Sequence, residues 1–189
     1  MKALEEKILR EGRIRDGNIL QVDNFLNHQI DAAFLMEMGD EIVRLYEGAG
    51  ITKVLTIEAS GIAIALAVAA KLGVPMLFAK KHKTKNINEN QYKTVVASFT
   101  HGTDYDVVVS KDYLNEGDVV LVVDDFLANG NALRGLIDLV HQAGGTVAGC
   151  AIAIEKGFQG GGDALRAEGI RVESMAILDK MEDGIITFR

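Results

Sequence analysis

The chain of 189 residues has one cysteine and one proline, shows no excess of positive charge, and contains no uninterrupted apolar run of roughly 18 residues. A single cysteine, Cys150, rules out an intrachain disulfide and a cysteine-rich metal site. Its setting, "VAGCAIAI", marks it as buried packing. With 20 Lys and Arg against 27 Asp and Glu, the net charge of -7 argues against a broad nucleic-acid surface, so any basic patch must be local. The missing apolar run argues against a membrane span, and the charged start "MKALEEKILREGR" is unlike a signal peptide, so a cytoplasmic protein is expected. Two phosphate-binding fingerprints are absent as well, GxxxxGK[ST] and GxGxxG.

What is present is an ordinary globular balance, 48% hydrophobic and 25% charged, in a length that suits one domain over 1–189. Two hydrophobic periods alternate along it, the pattern of strands wound with helices. "ALEEKILREG" reads as a short helix closed by Gly12, and "HQIDAAFLMEMGDEIVRLYEGAG" as a longer amphipathic one. The strand "KVLTI", the small-residue helix "IAIALAVAAKLG" and the strand "MLFA" make a β-loop-α-β unit. A polar, basic loop "KKHKTKNINENQYK" follows, then "TVVASF" and "DVVVS", expected to pair antiparallel. "VVLVV" lacks alternation, as a central parallel strand buried on both faces would. Its helix "ALRGLIDLVHQAG" precedes strands "TVAGCAIAI" and "VESMAIL", joined by a Gly-rich link. The expected fold is α/β, a mostly parallel sheet flanked by helices, with ligands beyond the strand C-terminal ends.

The stretch "VVLVVDDFLANGNALRGL" places two carboxylates, Asp124 and Asp125, at the end of an apolar strand and then a small, amide-rich loop before a helix. A helix N-terminus offers unpaired N–H groups and partial positive charge, so this loop is a candidate phosphate cradle. Ala128, Gly130 and Ala132 would let the backbone approach closely, while Asn129 and Asn131 add amide groups that tolerate turn geometry. Asp124 and Asp125 should repel phosphate and need a divalent cation or hydroxyl donors. Phosphate at the loop and a diol at the carboxylates together describe a ribose 5-phosphate. Standing alone, an acidic pair at a strand end is often only a turn former.

"VVLVVDDFLANGNA" resembles the phosphoribosyl pyrophosphate signature of the type I phosphoribosyltransferases, and the strand and helix order resembles their fold. Chain length, the N-terminal region and "IEKGFQ" are most similar to the family's purine-salvage branch that acts on xanthine. The resemblance implies a glycosyltransferase with a small N-terminal hood over the base, about 1–35, and a flexible loop. It implies that Ala128, Asn129, Gly130, Asn131 and Ala132 hold the 5-phosphate and that Asp124 and Asp125 contact the ribose hydroxyls. Most members read ATGGT at 128–132, so this chain lacks two hydroxyl donors there, and amides stand in their place.

A second anion site is expected for the pyrophosphate. "EASG", Glu58, Ala59, Ser60 and Gly61, is a weak helix-leading loop by itself, and the resemblance makes it the pyrophosphate loop, with Glu58 organising the loop or a metal's water. Lys80, Lys81, Lys83 and Lys85, with His82, form a cationic run that by itself reads as a solvated face. Over a polyanion, and where the family has a flexible loop, it becomes a lid that excludes water, with no one lysine singled out. Lys156 and Phe158 should emerge at a strand end, the lysine donating to a purine carbonyl and the ring stacking on the base. The resemblance adds Leu20 and Asn27, Asn27 bonding a second oxo group and so separating xanthine from hypoxanthine.

The implied reaction is displacement of pyrophosphate by a purine nitrogen, with Mg2+ carried in on the phosphates of phosphoribosyl pyrophosphate and no protein side chain as its direct ligand. Several 6-oxopurine relatives place a proton-accepting aspartate where this chain has Ala128, which leaves the general base unassigned. A homodimer is implied by the family alone. Two alternatives stand beside xanthine: guanine or hypoxanthine as substrate, and a non-catalytic sensor of phosphoribosyl pyrophosphate. A magnesium-binding receiver module would place its acidic pair after an early strand, whereas this pair lies two-thirds along the chain.

Overall fold

The computed structural model describes residues 1–15, 19–82, 90–97, 104–182 and 184–189. In chain order the elements are α1 (Lys2–Glu11), β1 (Arg13–Arg15), β2 (Ile19–Gln21), a π-helical turn (Asp23–Asn27), α2 (Ala32–Leu45), β3 (Lys53–Ile57), α3 (Gly61–Leu72) and β4 (Met76–His82). There follow β5 (Gln91–Ala97), β6 (Asp104–Ser110), β7 (Val119–Leu127), α4 (Asn131–Gln142), β8 (Thr146–Lys156), a 3-10 turn (Gly157–Gln159), α5 (Gly161–Ala167), β9 (Val172–Glu182) and β10 (Ile185–Phe188).

Eight strands form one sheet in the order β10-β9-β8-β7-β3-β4-β6-β5. The pairs β9/β8, β8/β7, β7/β3 and β3/β4 are parallel, while β10/β9, β4/β6 and β6/β5 are antiparallel. The mostly parallel α/β sheet expected from the alternating periods is therefore present, as is the antiparallel β5/β6 pair. β1 and β2 form a separate two-stranded ribbon.

Each face of the sheet carries its own core. On one side Val54, Leu121, Val123, Ala151 and Met175 pack with α1, α2 and α3 residues such as Ile8, Met38 and Ile64. On the other, Leu55, Val120, Val122, Cys150 and Ile152 pack with Leu136 and Val140 of α4. Leu121 and Val123 thus face one core and Val120 and Val122 the other, which explains why this strand has no polar alternation. Cys150 is fully buried in the second core, its thiol pushed up to about 12 by burial.

Four expectations change in the structure. Lys80 and Lys81 are not on a loop: β4 continues through them, pairing Lys80 with Val108 and Lys81 with Val107. Their long aliphatic stems tolerate a strand, and β6 satisfies the backbone, so composition alone misjudged where the sheet ends. Lys83 and Lys85 lie outside the described residues. α2 begins only at Ala32, because the Asp31 carboxylate accepts the Phe34 N–H at 3.2 Å and caps it there. β7 runs on through Asp124 and Asp125 to Leu127, so the acidic pair lies within the strand. The Gly-rich link holds α5, and β1, β2 and β10 were not anticipated.

Candidate active site

β3 sends its connection through α3 to β4 on one flank, while the adjacent β7 sends its own through α4 to β8 on the other. Neighbouring parallel strands whose connections diverge open a crevice at their C-terminal ends. The loops at 58–60 and 128–130 leave the sheet at that crevice.

Asp124 and Asp125 are 6% and 7% exposed, unusually low for two adjacent carboxylates. Asp124 Oδ1 accepts the backbone N–H of Asp125 at 3.0 Å. Burial first, and the Asp125 charge second, hold the Asp124 carboxyl well above the usual carboxylate range. Such a pair calls for hydroxyl donors or a cation to offset its desolvation. The floor beneath it is tight. A Cβ added at Gly61 would sit 3.0 Å from Asp124 Oδ1 and overlap the hydroxyl of Thr56, which is buried and has no hydrogen-bond partner among the described residues.

The loop at 58–60 contains a cis Glu58–Ala59 peptide. Glu58 is tied to β4 at two points: its N–H donates to the Ala79 carbonyl at 3.1 Å, and its Oε1 accepts the Lys81 N–H at 2.6 Å. Ala59 and Ser60 remain at the surface of the crevice, with Gly61 opening α3. The Lys81 ammonium lies over the Tyr105 ring, 5.4 Å from its centre, and that of Lys80 over Phe78 at 5.9 Å. Burial, followed by the Asp124 charge, raises the Tyr105 hydroxyl pKa.

At the end of β7, Ala128 and Asn129 lead to Gly130, whose φ of 88° is the left-handed conformation that favours glycine, and α4 starts at Asn131. Asn129 Oδ1 accepts the Asn131 N–H at 3.3 Å, and Asn131 Nδ2 donates to the Ala97 carbonyl at 3.4 Å. Both amides therefore have protein partners, one of them a helix N-terminal N–H that a bound anion would also claim. Gly161 supports the loop from behind, its N–H donating to the Ala128 carbonyl at 3.2 Å.

The N-terminal segment reaches the crevice through Asn27, whose Nδ2 donates to Asp125 Oδ2 at 3.5 Å. Its Oδ1 is buried without a partner among the described residues. A cavity of about 530 Å³ between this segment and the loop at 58–60 is lined by Asp23, Asn27, His28, Ala59 and Ser60. Leu20 is different: its side chain is 5% exposed and belongs to the core, so only its backbone is left to meet a ligand. Lys156 ends β8 with its ammonium over the Phe126 ring at 5.8 Å, and burial lowers its pKa. Phe158, in the 3-10 turn, is 44% exposed.

Asn27 with Asp125, Glu58 with Lys81, and Gly61 with Asp124 are direct neighbours, so four separate stretches of sequence meet at one crevice. Sequence reasoning missed Phe126, Thr56, Tyr105, Asp23 and His28. Phe126 adjoins the acidic pair and was within reach of inspection. The others depend on which strand ends become neighbours.

The chain matches the phosphoribosyl transferase domain family over residues 21–182. It is 55% identical over 192 residues to the xanthine phosphoribosyltransferase of Bifidobacterium adolescentis, and 51% identical over 190 residues to that of Clostridioides difficile, in each case covering 100% of both chains. Among solved structures it is similar to the adenine phosphoribosyltransferase of Rhodothermus marinus, with a TM-score of 0.74 at 23% identity, over 94% of this chain and 100% of that one. The adenine phosphoribosyltransferase of Thermoanaerobacter pseudethanolicus gives 0.73 at 23% identity, over 92% and 98%.

Proposed function

The chain belongs to the phosphoribosyltransferase family, and on that premise we propose that it transfers the 5-phosphoribosyl group of phosphoribosyl pyrophosphate to xanthine, giving XMP and pyrophosphate in purine salvage. The observation that carries the reading is a buried carboxylate pair in the C-terminal half of β7, followed six residues later by the α4 N-terminus, entered through left-handed Gly130. Full-length relatives more than half identical support xanthine as the base.

In this reading the 5-phosphate sits on 128–132 at the α4 N-terminus, and the ribose hydroxyls donate to Asp124 and Asp125. The loop at 58–61 receives the pyrophosphate, with Lys80 and Lys81 supplying positive charge beside it. Mg2+ would enter on the substrate's own phosphates, with no protein side chain as its direct ligand, and would neutralise the departing pyrophosphate beside the loop at 58–61. The bond from the anomeric carbon to pyrophosphate oxygen breaks, its electron pair leaving with pyrophosphate, and a purine nitrogen bonds that carbon and then loses its proton. The protein's part is to align the nitrogen with the carbon, place charge around the leaving group and keep water out. Lys156 would donate to the 6-oxo group, Phe158 would stack on the base, and Asn27 with the backbone of Leu20 would close the 1–35 hood over it.

A homodimer would cover apolar side chains left at the surface, such as Leu66 at 57% exposure on α3. Among the described residues no helix is long and apolar enough to cross a membrane, which supports a cytoplasmic site of action. The deciding experiment supplies phosphoribosyl pyrophosphate and Mg2+ with xanthine, guanine, hypoxanthine or adenine and follows nucleotide formation. Dominant XMP is the expected result. Preference for another base overturns xanthine, and tight phosphoribosyl pyrophosphate binding without product points to a sensor.

A further inference from the structure

We propose that Lys7 is a positioning residue for the base: a cation buried under the N-terminal segment that fixes the turn carrying Asn27, an inference that rests on the function proposed above. Lys7 is only 8% exposed. Its ammonium lies 5.2 Å from the Phe25 ring centre and 5.1 Å from that of Phe34, and the two rings meet edge to face at 6.5 Å. The same ammonium donates to Asp31 Oδ2 at 2.8 Å and to Glu11 Oε1 at 3.3 Å.

One charge thereby joins three elements. Lys7 and Glu11 belong to α1, Phe25 to the π-helical turn, and Asp31 and Phe34 to the start of α2. Asp31 serves both ends of the contact, because its Oδ1 caps α2 while its Oδ2 accepts from Lys7. The turn has little regular backbone of its own. It closes through Gln29 N–H to the Asp23 carbonyl at 2.7 Å and Asp31 N–H to the Phe25 carbonyl at 2.9 Å. A desolvated ammonium over two ring faces is far more directional than a hydrocarbon contact, since it rewards one ring placement. Asn27 lies two residues beyond Phe25 in that same turn, and its amide meets Asp125. Lys7 reaches the crevice only through these neighbours.

Lys7→Met keeps the aliphatic stem under the rings and removes the cation. Lys7→Arg keeps a cation suited to ring faces and carboxylates. In the full chain, Lys7→Met should raise KM for xanthine about tenfold, the equivalent of roughly 1.4 kcal/mol, with KM for phosphoribosyl pyrophosphate changed less than about twofold. Amide exchange at Gln29 and Asp31 should quicken while β7 and β8 stay protected, and Lys7→Arg should recover most of both effects. Asp31→Asn, which retains a capping oxygen but loses the charge pair, should reproduce them and serves if Lys7→Met fails to fold. An unchanged KM for xanthine overturns the proposal, as does a uniform loss of kcat and both affinities with exchange quickened across the sheet. If the wild-type chain forms no XMP, the functional reading fails by itself, and exchange at Gln29 and Asp31 then decides whether Lys7 fixes the turn.

Discussion

Asn27 Nδ2 donates to Asp125 Oδ2 across 3.5 Å, linking residues 98 positions apart and placing the N-terminal segment directly on the acidic pair. In the proposed function that carboxylate oxygen is wanted by a ribose hydroxyl, so substrate entry exchanges one donor for another. The other half of the amide, Oδ1, is buried and has no partner among the described residues, a situation that costs about 1–3 kcal/mol. Asn27 therefore holds its place at a cost to stability, as binding residues often do.

Asn27→Ala should separate these effects. Removing the unpaired oxygen should leave the thermal midpoint unchanged or slightly raised. KM for xanthine should rise about three- to tenfold, the worth of one ordinary hydrogen bond, while affinity for phosphoribosyl pyrophosphate holds or improves because Asp125 is freed. Steady-state kinetics with each substrate varied, alongside a melting curve, check this. A large fall in melting temperature would contradict it.

Gly161 backs the loop at 128–130, which the proposed function gives to the 5-phosphate, so closely that a methyl there would overlap the Ala128 carbonyl, with Asn129 C at 2.5 Å and Gly130 N at 2.7 Å. These are backbone atoms, so a shift has to move the loop itself. Gly161→Ala should destabilise the chain by about 1–3 kcal/mol, the usual cost of overpacking, and weaken phosphoribosyl pyrophosphate binding at least tenfold with xanthine affinity much less affected. Calorimetric titration with phosphoribosyl pyrophosphate is the direct check. Nothing at Gly161 suggested this role in the sequence, because the contact crosses from α5 to the β7–α4 turn.

Legibility followed the range of the determining contact. The helix at Gly61–Leu72, the central strand from Val119 and the turn at 128–130 that leads into α4 are written in local pattern, since apolar period, turn residues and helix starts act within a few positions. Lys80 and Lys81 were misplaced because their strand is fixed by pairing with Val108 and Val107, far along the chain. The π-helical turn at Asp23–Asn27 has no composition of its own and is held by Lys7 and Asp31. Leu20 enters by resemblance alone, and its side chain, 5% exposed, lies in the core, a placement that depends on contacts with α1 and the sheet that no local pattern carries.

Lys156 joins two effects of opposite sign in pH. Burial lowers its pKa, so the unfolded chain holds the proton to higher pH than the folded one. Folding stability accordingly carries a penalty below the folded pKa and gains as pH rises through it toward the ordinary lysine value. In the proposed function base binding runs the other way, because only the ammonium would donate to the 6-oxo group with full charge. Xanthine KM should climb at alkaline pH while the thermal midpoint is relieved. Lys156→Met should raise KM for xanthine more than tenfold, as expected for a bond to a charged donor worth roughly 1.5–3 kcal/mol, and should be more stable than the wild type at neutral pH. A pH-independent KM in the wild type would count against Lys156 as the donor.

Glu155, one residue before Lys156, is fully buried and survives there through a two-pronged contact: Arg166 Nη1 to Oε1 at 2.9 Å and Nη2 to Oε2 at 2.6 Å. Ser174 also donates to Oε2. Removing the guanidinium leaves a buried carboxylate with one hydroxyl for company, a change that typically costs about 3–5 kcal/mol. Arg166 is itself 31% exposed, and water entering beside Glu155 would bring the figure toward the lower end. Arg166→Met should therefore lower stability by about 3 kcal/mol in denaturant titration, and it should disturb base binding more than phosphoribosyl pyrophosphate binding, because β8 delivers Lys156 to the site. Adding Glu155→Gln should recover much of the loss, since the neutral amide no longer needs a cation and Ser174 can still serve it. If the double variant is no more stable than Arg166→Met alone, the cost lies in packing around the arginine stem instead of in the unpaired charge.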